Sequence, residues 1–427
     1  MTNRRDFLAS LAAGSLAAMA PTGAHSAIRP RVVVVGGGMA GATLAKYLRL
    51  WSGRTIAVTL IEKETRYTSN ILSNLVVTGQ RSLSTLYFGY DRLMSKYGVR
   101  LVRGMVQSVT PGSVAATWQV RLANSPRAIE CDRVVLAPGV RFDPIADLND
   151  PTKKASVVHA WQAGPDSELL RQKLAAMRAG GTFLLSIPRA PYRCPSAPYE
   201  RVCLVADLLR RNKPGSKVLV LDANPGIMAE SNAYAEVFAE RYAGIVEYRP
   251  DTVVAAVDAE CGRVRTAQGE VIRADLLNVI PPQRAGAIVQ ALGLTDADDQ
   301  RFAAVDPRSF ESTRLPGIHV IGDSAGTTLP KAGHVGNQSA KICAAAIVNA
   351  FNAEPPEPWP TANYVCYAPI GSGQAAWRND VYRYDAETGN MVAVSGAAGS
   401  AQTAQPSAQY FTEMTTWFRT LMTDTFA

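Results

Sequence analysis

The run VVVVGGGMAG at residues 32–41 constrains this chain more than any other stretch. Four consecutive valines read as a strand buried on both faces, and the glycines that follow read as a tight turn into a helix. Gly36, Gly38 and Gly41 stand in the spacing of a dinucleotide-binding turn. The first glycine permits the turn, the second lets backbone approach a pyrophosphate, and the third lets the helix pack closely on the strand. The next apolar run, IAVTLIEK, carries Glu62 at its end, where a carboxylate can accept hydrogen bonds from both ribose hydroxyls. A glycine-rich turn without a ligand is the competing reading, and it gives that carboxylate no reason to be there.

The other half of the dinucleotide is assigned near residue 320. GIHVIGDSAG ends a strand with Gly322 and Asp323, a pattern in which the carboxylate binds ribityl hydroxyls and the next helix aims its N-terminus at a flavin. A simple helix cap is the alternative for Asp323. Two half-sites so far apart in sequence, with an inserted unit between them, point to FAD.

Between the half-sites the chain changes character. CDRVVLAPGV is another buried strand, and VRLVRGMVQSV with TWQVRLA reads as a meander. From about Leu148 a helix, the strand GTFLLSI, a proline-rich loop, a second helix and the strand SKVLVLDANP form a further α/β unit. The fold class is α/β: two doubly wound, Rossmann-like nucleotide-binding domains plus a smaller C-terminal unit. The first domain is discontinuous, residues 28–147 and 276–353; the second is 148–275. Residues 354–427 form a unit that covers the flavin or serves as an interface, with YFTEMTTWFRTLM as a short amphipathic helix. No internal repeat of 20 to 50 residues is visible.

Residues 1–27 stand apart. Arg4 and Arg5 precede LASLAAGSLAAMA, the order of a twin-arginine signal peptide, which carries folded, cofactor-loaded proteins to the periplasm. Beyond it no apolar run reaches the roughly 18 residues of a membrane span. The formal charge of +8 comes from scattered lysines and arginines without a long run, which suits solubility or an acidic partner and not nucleic acid. None of the six cysteines stands in a CxxC or CxxCH spacing, so a metal cluster or covalent haem on this chain is not expected. An oxidising compartment would permit disulfides among them.

The loop PRAPYRCPSAPYE, residues 188–200, sits where a nucleotide-binding domain usually keeps its glycines. Pro188, Pro191, Pro195 and Pro198 remove the row of backbone donors that an NAD pyrophosphate requires. NAD binding is therefore expected to be lost, and a rigid loop carrying Cys194 stands in its place.

Together with LAPG, PYRCP, PYER, IPPQRAG, FESTRLPGIHVIGD, NYVCY and WFRTLMTDTF, these segments make the chain resemble the flavoprotein subunit of flavocytochrome c sulfide dehydrogenases, within the disulfide reductase-like flavoproteins. The resemblance runs from residue 32 to the end. It implies that Cys194 pairs with Cys366 as a redox-active disulfide at the flavin, and that Glu200 is the acid/base carboxylate. A purely structural disulfide and a solvated acid at a helix start are the plainer readings of those residues. It further implies oxidation of sulfide and transfer of electrons to a separate c-type cytochrome. The chain departs from the family at one place. Relatives often tether FAD through a cysteine in a segment like YTC, whereas RYTSNILSN has Ser69 and Asn70 there, so FAD is expected to be held noncovalently. A sulfide:quinone oxidoreductase, or a flavoprotein acting on the thiols of a sulfur carrier protein, are the alternatives.

Overall fold

The valine run does form the centre of a sheet. In the computed structural model, which describes residues 29–427 except 149, 296–298, 372 and 398–405, β1 (Arg31–Val35) runs into α1 (Met39–Trp51). It is flanked by β2 (Ala57–Glu62) and β4 (Arg133–Leu136), with β3 (Arg100–Arg103) and Ile318–Val320 at the edges. All neighbours are parallel. Both faces are covered, and Val32, Val34, Leu60, Val134 and Val320 are buried. The twin-arginine segment lies outside the described residues.

The expected meander divides at Gly104. Arg100–Arg103 joins the parallel sheet, and only Val106–Pro111, Trp118–Leu122 and Ala128–Cys131 form the antiparallel meander.

A second parallel sheet is built from β5 (Thr182–Ile187), β6 (Lys217–Asp222), β7 (Val246–Arg249) and β8 (Leu276–Val279), in the order β7-β6-β5-β8. The helix α3 (Ala197–Asn212) crosses between β5 and β6. Leu276–Val279, expected at the return to the first unit, pairs instead in parallel with Phe183–Ser186. It is buried on both faces, which an apolar run achieves only inside a sheet. The return to the first unit follows β8.

The remaining chain closes over the first sheet. The helix α4 (Gly333–Phe351) packs against α1, and β9 (Thr361–Gly371) and β10 (Gln374–Asp385) form a long antiparallel pair. The last helix, α5 (Ala408–Phe426), is longer than its apolar pattern suggested. Its apolar side is consumed by packing: Met414, Phe418, Leu421, Met422 and Phe426 are buried. Phe426 stacks on Tyr67 and Phe88, with ring centroids 5.1 and 5.7 Å apart. Lys46 on α1 donates to the carbonyls of Asp424 at 2.8 Å and Ala427 at 2.7 Å, where cationic groups are favoured by unpaired carbonyls and the helix dipole. Among the described residues no helix is long and apolar enough to cross a membrane.

Candidate active site

The glycine turn acts as its spacing requires. Gly36 has φ +101°, and a Cβ there would lie 2.3 Å from the Ala137 carbonyl oxygen. A Cβ on Gly41 would lie 1.8 Å from the Gly36 carbonyl oxygen, so helix and strand touch only because it is absent. Gly38 differs: a Cβ there would meet nothing nearer than Tyr67 at 3.9 Å. That open side faces a cavity of about 630 Å³, within the usual range for bound small molecules. The α1 N-terminus has no side-chain cap, which leaves its first N–H groups free for an anion. Glu62, on the same cavity, accepts from the Gly37 and Glu64 amides at 2.6 and 2.8 Å. A carboxylate has about four acceptor positions, so these bonds leave capacity for ribose hydroxyls.

Gly322 and Asp323 line the same cavity. Burial pushes the Asp323 carboxyl up, and Arg193 and Lys331 oppose that rise. The α4 N-terminus, also without a side-chain cap, brings Gly333, His334 and Gly336 to the wall. Two uncapped helix N-termini, a backbone cradle and two carboxylates thus surround one cavity, the donor and acceptor set that FAD requires.

The proline loop brings sulfur to this cavity. Its backbone is pinned from outside: Arg301 donates to the carbonyls of Ala190 at 3.1 Å and Pro191 at 2.7 Å. Asn224 bonds both Pro188 O and Ala190 N, and the Gln283 carbonyl group accepts from Arg193 N at 2.9 Å. Cys194 has φ +57°, a conformation costly for a side-chain-bearing residue and held here by its N–H donating to Lys331 O at 2.5 Å. Cys366 lies on β9, 172 positions later, and both sulfurs line the cavity. All six cysteines are free thiols in this structure. Cys366 donates to Cys194, which holds the Cys194 thiol below the ordinary range and pushes Cys366 well above it.

Glu200 is buried in the first turn of α3, on the same cavity. Desolvation first, and then the Cys194 charge, push its carboxyl up to about 8. Its partner had no signal in the sequence. Asn74, on the short helix α2 (Ser73–Val77), donates to Glu200 Oε1 at 2.9 Å and to Ala197 O at 3.0 Å, and accepts from Arg201 Nε at 2.9 Å. Arg201 is buried, lies 4.8 Å over the Trp161 ring, and donates to His159 O, Ala160 O and Asn278 Oδ1. Asn74→Ala is expected to lower stability by about 1–3 kcal/mol, because it strands one donor of a buried guanidinium. Thermal or urea unfolding of the FAD-loaded protein checks this.

In the second sheet the carboxylate that a nicotinamide nucleotide would need is already engaged. Asp222 ends β6, where a ribose-binding carboxylate would stand in this unit. It is fully buried and accepts from Tyr199 Oη at 2.7 Å, Tyr248 Oη at 2.9 Å and Asn224 Nδ2 at 2.7 Å. NADH and NADPH are expected neither to bleach the flavin nor to support turnover. Rapid anaerobic reduction of the flavin by NADH would overturn this.

Comparison with known proteins agrees with this architecture. Residues 30–176 match the pyridine nucleotide-disulphide oxidoreductase family. Residues 167–281 match the central domain of the sulfide dehydrogenase (flavocytochrome c) flavoprotein chain, and residues 358–426 its flavin-binding domain. Among solved structures, the sulfide:quinone oxidoreductase of Aquifex aeolicus superposes with a TM-score of 0.71 at 17% identity, covering 92% of each chain. An NAD-dependent persulfide reductase from A. fulgidus gives 0.57 at 15% identity, covering 85% of this chain and 73% of that one. At such identities the structures speak for the fold. The family matches show that the chain belongs to the flavoprotein chains of flavocytochrome c sulfide dehydrogenase, an oxidoreductase family whose cofactor is FAD.

Proposed function

We propose that this protein oxidises sulfide through Cys194 and Cys366 and passes the electrons through FAD to a separate c-type cytochrome. The convergence of the two sulfurs on the wall of the dinucleotide cavity carries the reading. Bound FAD supplies a two-electron acceptor that can release its electrons singly. Gly36, Gly38, Glu62, Gly322 and Asp323 would hold that cofactor, and Gly41 lets α1 pack closely enough to present its N-terminus. The chain's own step is thiol–disulfide chemistry. With the two cysteines joined, hydrosulfide adds to one sulfur, their S–S bond breaks, and its electron pair leaves on the other. Glu200, buried on the same cavity with its carboxyl raised to about 8, is the group assigned to exchange the substrate proton.

The chain has no haem-attachment motif, so the one-electron acceptor belongs to another chain. Sulfide-dependent reduction of a soluble c-type cytochrome by the purified protein tests the proposal. The competing reading, reduction of a membrane quinone, wants an apolar docking surface, yet the apolar side of α5 is packed against the molecule's own core. Turnover with a quinone but none with cytochrome would favour it. Turnover only with protein-borne thiols would favour a role toward a sulfur carrier. The Arg4–Arg5 segment further supports export of the folded, FAD-loaded protein to the periplasm, which fractionation of cells expressing the full chain tests.

The FAD is proposed to be noncovalent. Ser69 is buried with its hydroxyl donating to Ile71 O, and Asn70 Oδ1 accepts from Ala163 N at 2.8 Å, so neither offers a thiol to the cofactor. Acid denaturation is expected to release all the yellow colour into the supernatant. Flavin retained by the precipitate would refute it.

A further inference from the structure

Ser196 occupies the N-cap of α3, yet its side chain makes no cap bond. That is unusual, because a serine there ordinarily accepts from the second or third amide of its helix and stabilises it by about 1 kcal/mol. Here the fully buried hydroxyl turns toward sulfur. Its Oγ lies 3.1 Å from Cys366 Sγ and 4.0 Å from Cys194 Sγ. Its backbone is fixed by Tyr234 Oη and Glu200 N, both donating to Ser196 O, at 3.3 and 3.0 Å. The residue is not among those lining the cavity, whereas both sulfurs are.

We propose that the Ser196 hydroxyl is a positioning donor that offsets the cost of negative charge on Cys366 whenever the sulfur pair is open. This rests on the reading of Cys194 and Cys366 as the reactive pair. In the step, hydrosulfide forms a bond to one sulfur, the Cys194–Cys366 bond breaks, and its electron pair goes to the other; Ser196 acts wherever that charge rests on Cys366 Sγ, and no further oxidant is involved. A leaving thiol departs faster the better its anion is stabilised. The surroundings of Cys366 otherwise oppose an anion. Tyr364 lies two residues before it on β9, Arg378 faces it in register on β10 but is engaged by Asp380 at 2.5 Å, Tyr234 packs from its own helix, and buried Glu230 contributes a repelling charge. Ser196 is the group among these that favours the charge through a hydrogen bond.

The test isolates Cys366. In a Cys194→Ser protein, Cys366 titrates without its partner, and its reaction with iodoacetamide across pH, resolved by mass spectrometry of the peptide, reports its thiolate. Adding Ser196→Ala is expected to slow that reaction at pH 8 about tenfold and move the titration up by about one unit, the scale of a hydrogen bond to a charged group. Adding Ser196→Thr, which keeps a hydroxyl, is expected to restore most of the rate. Because the side chain caps nothing, Ser196→Ala should leave the thermal midpoint of the otherwise native protein nearly unchanged. An unchanged alkylation profile overturns the proposal, and so does a cap-sized loss of stability without a change in reactivity. Should the native protein prove inert toward sulfide while the titration still moves, the sulfide reading fails and the assignment of Ser196 stands.

Discussion

Cys194→Ser and Cys366→Ser are each expected to yield a yellow, FAD-loaded protein whose sulfide oxidation has fallen by roughly three orders of magnitude or more. Neither residue belongs to the glycine turn or to the carboxylates assigned to the cofactor, so the loss should appear per flavin and not as lost flavin. On the proposed mechanism the two sulfurs act as one unit: without either, no bond exists for hydrosulfide to cleave. The double variant should therefore be scarcely slower than the singles. A disulfide of purely structural kind gives the opposite pattern, a stability loss of about 2–4 kcal/mol with the rate per folded molecule intact. Cys261→Ser, at an exposed position, is the appropriate control. Cys203 is fully buried in the core around α3, and a serine there would bury a hydroxyl among apolar neighbours. Thermal midpoint and flavin-normalised turnover measured on the same samples separate the two cases, and full turnover in either single variant would sink the mechanism.

What the sequence made legible here was whatever a local constraint dictates. The close approaches at Gly36 and Gly41 are unavailable to any residue with a Cβ, and the open side of Gly38 serves the same turn, so three glycines announced both the turn and its ligand class. Gly322–Asp323 was readable for the same reason. The active-site partners were not, because they are brought together only by tertiary packing. Asn74 reaches Glu200 across 126 positions, and Ser196 reaches Cys366 across 170. An asparagine on a five-residue helix and a serine before a proline-bearing helix have ordinary local explanations. The pairing of β8 with the second sheet was missed because an apolar run fits the interior of either sheet. The true length of α5 was missed because its last turn is set by contacts with α1 and α4, such as Asn337 Nδ2 donating to Asp424 at 2.8 Å.

Glu200→Gln carries the second large effect, and it tests proton handling separately from sulfur chemistry. The amide keeps the shape of the side chain and can still accept from Asn74, so FAD binding and fold should persist. It cannot exchange a proton, and sulfide oxidation should fall by about 10²–10⁴-fold, the usual contribution of a positioned acid or base. Stability should move in the opposite sense. The Glu200 carboxyl is raised from 4.5 to about 8 in the folded protein. Its protonated form is thus favoured by folding, and that contribution is complete below about pH 4.5 and lost as pH rises through 8. At about 1.4 kcal/mol per unit, the loss is worth several kcal/mol. Between about pH 4.5 and 8 the reduced native protein should therefore lose stability relative to Glu200→Gln, which lacks this contribution and shares the others, the fall from Glu230, raised to about 7 by burial, and the opposing rise from buried His159, His319 and His334. Part of the Glu200 rise comes from the Cys194 charge, so joining Cys194 to Cys366 should flatten the native curve and barely alter the variant's. That dependence gives Glu200 its direction of action: it yields its proton more readily while the sulfurs are joined and holds it once a thiolate stands beside it. Identical melting curves for native and variant proteins in both redox states would remove Glu200 from this role, whatever the activity of the variant.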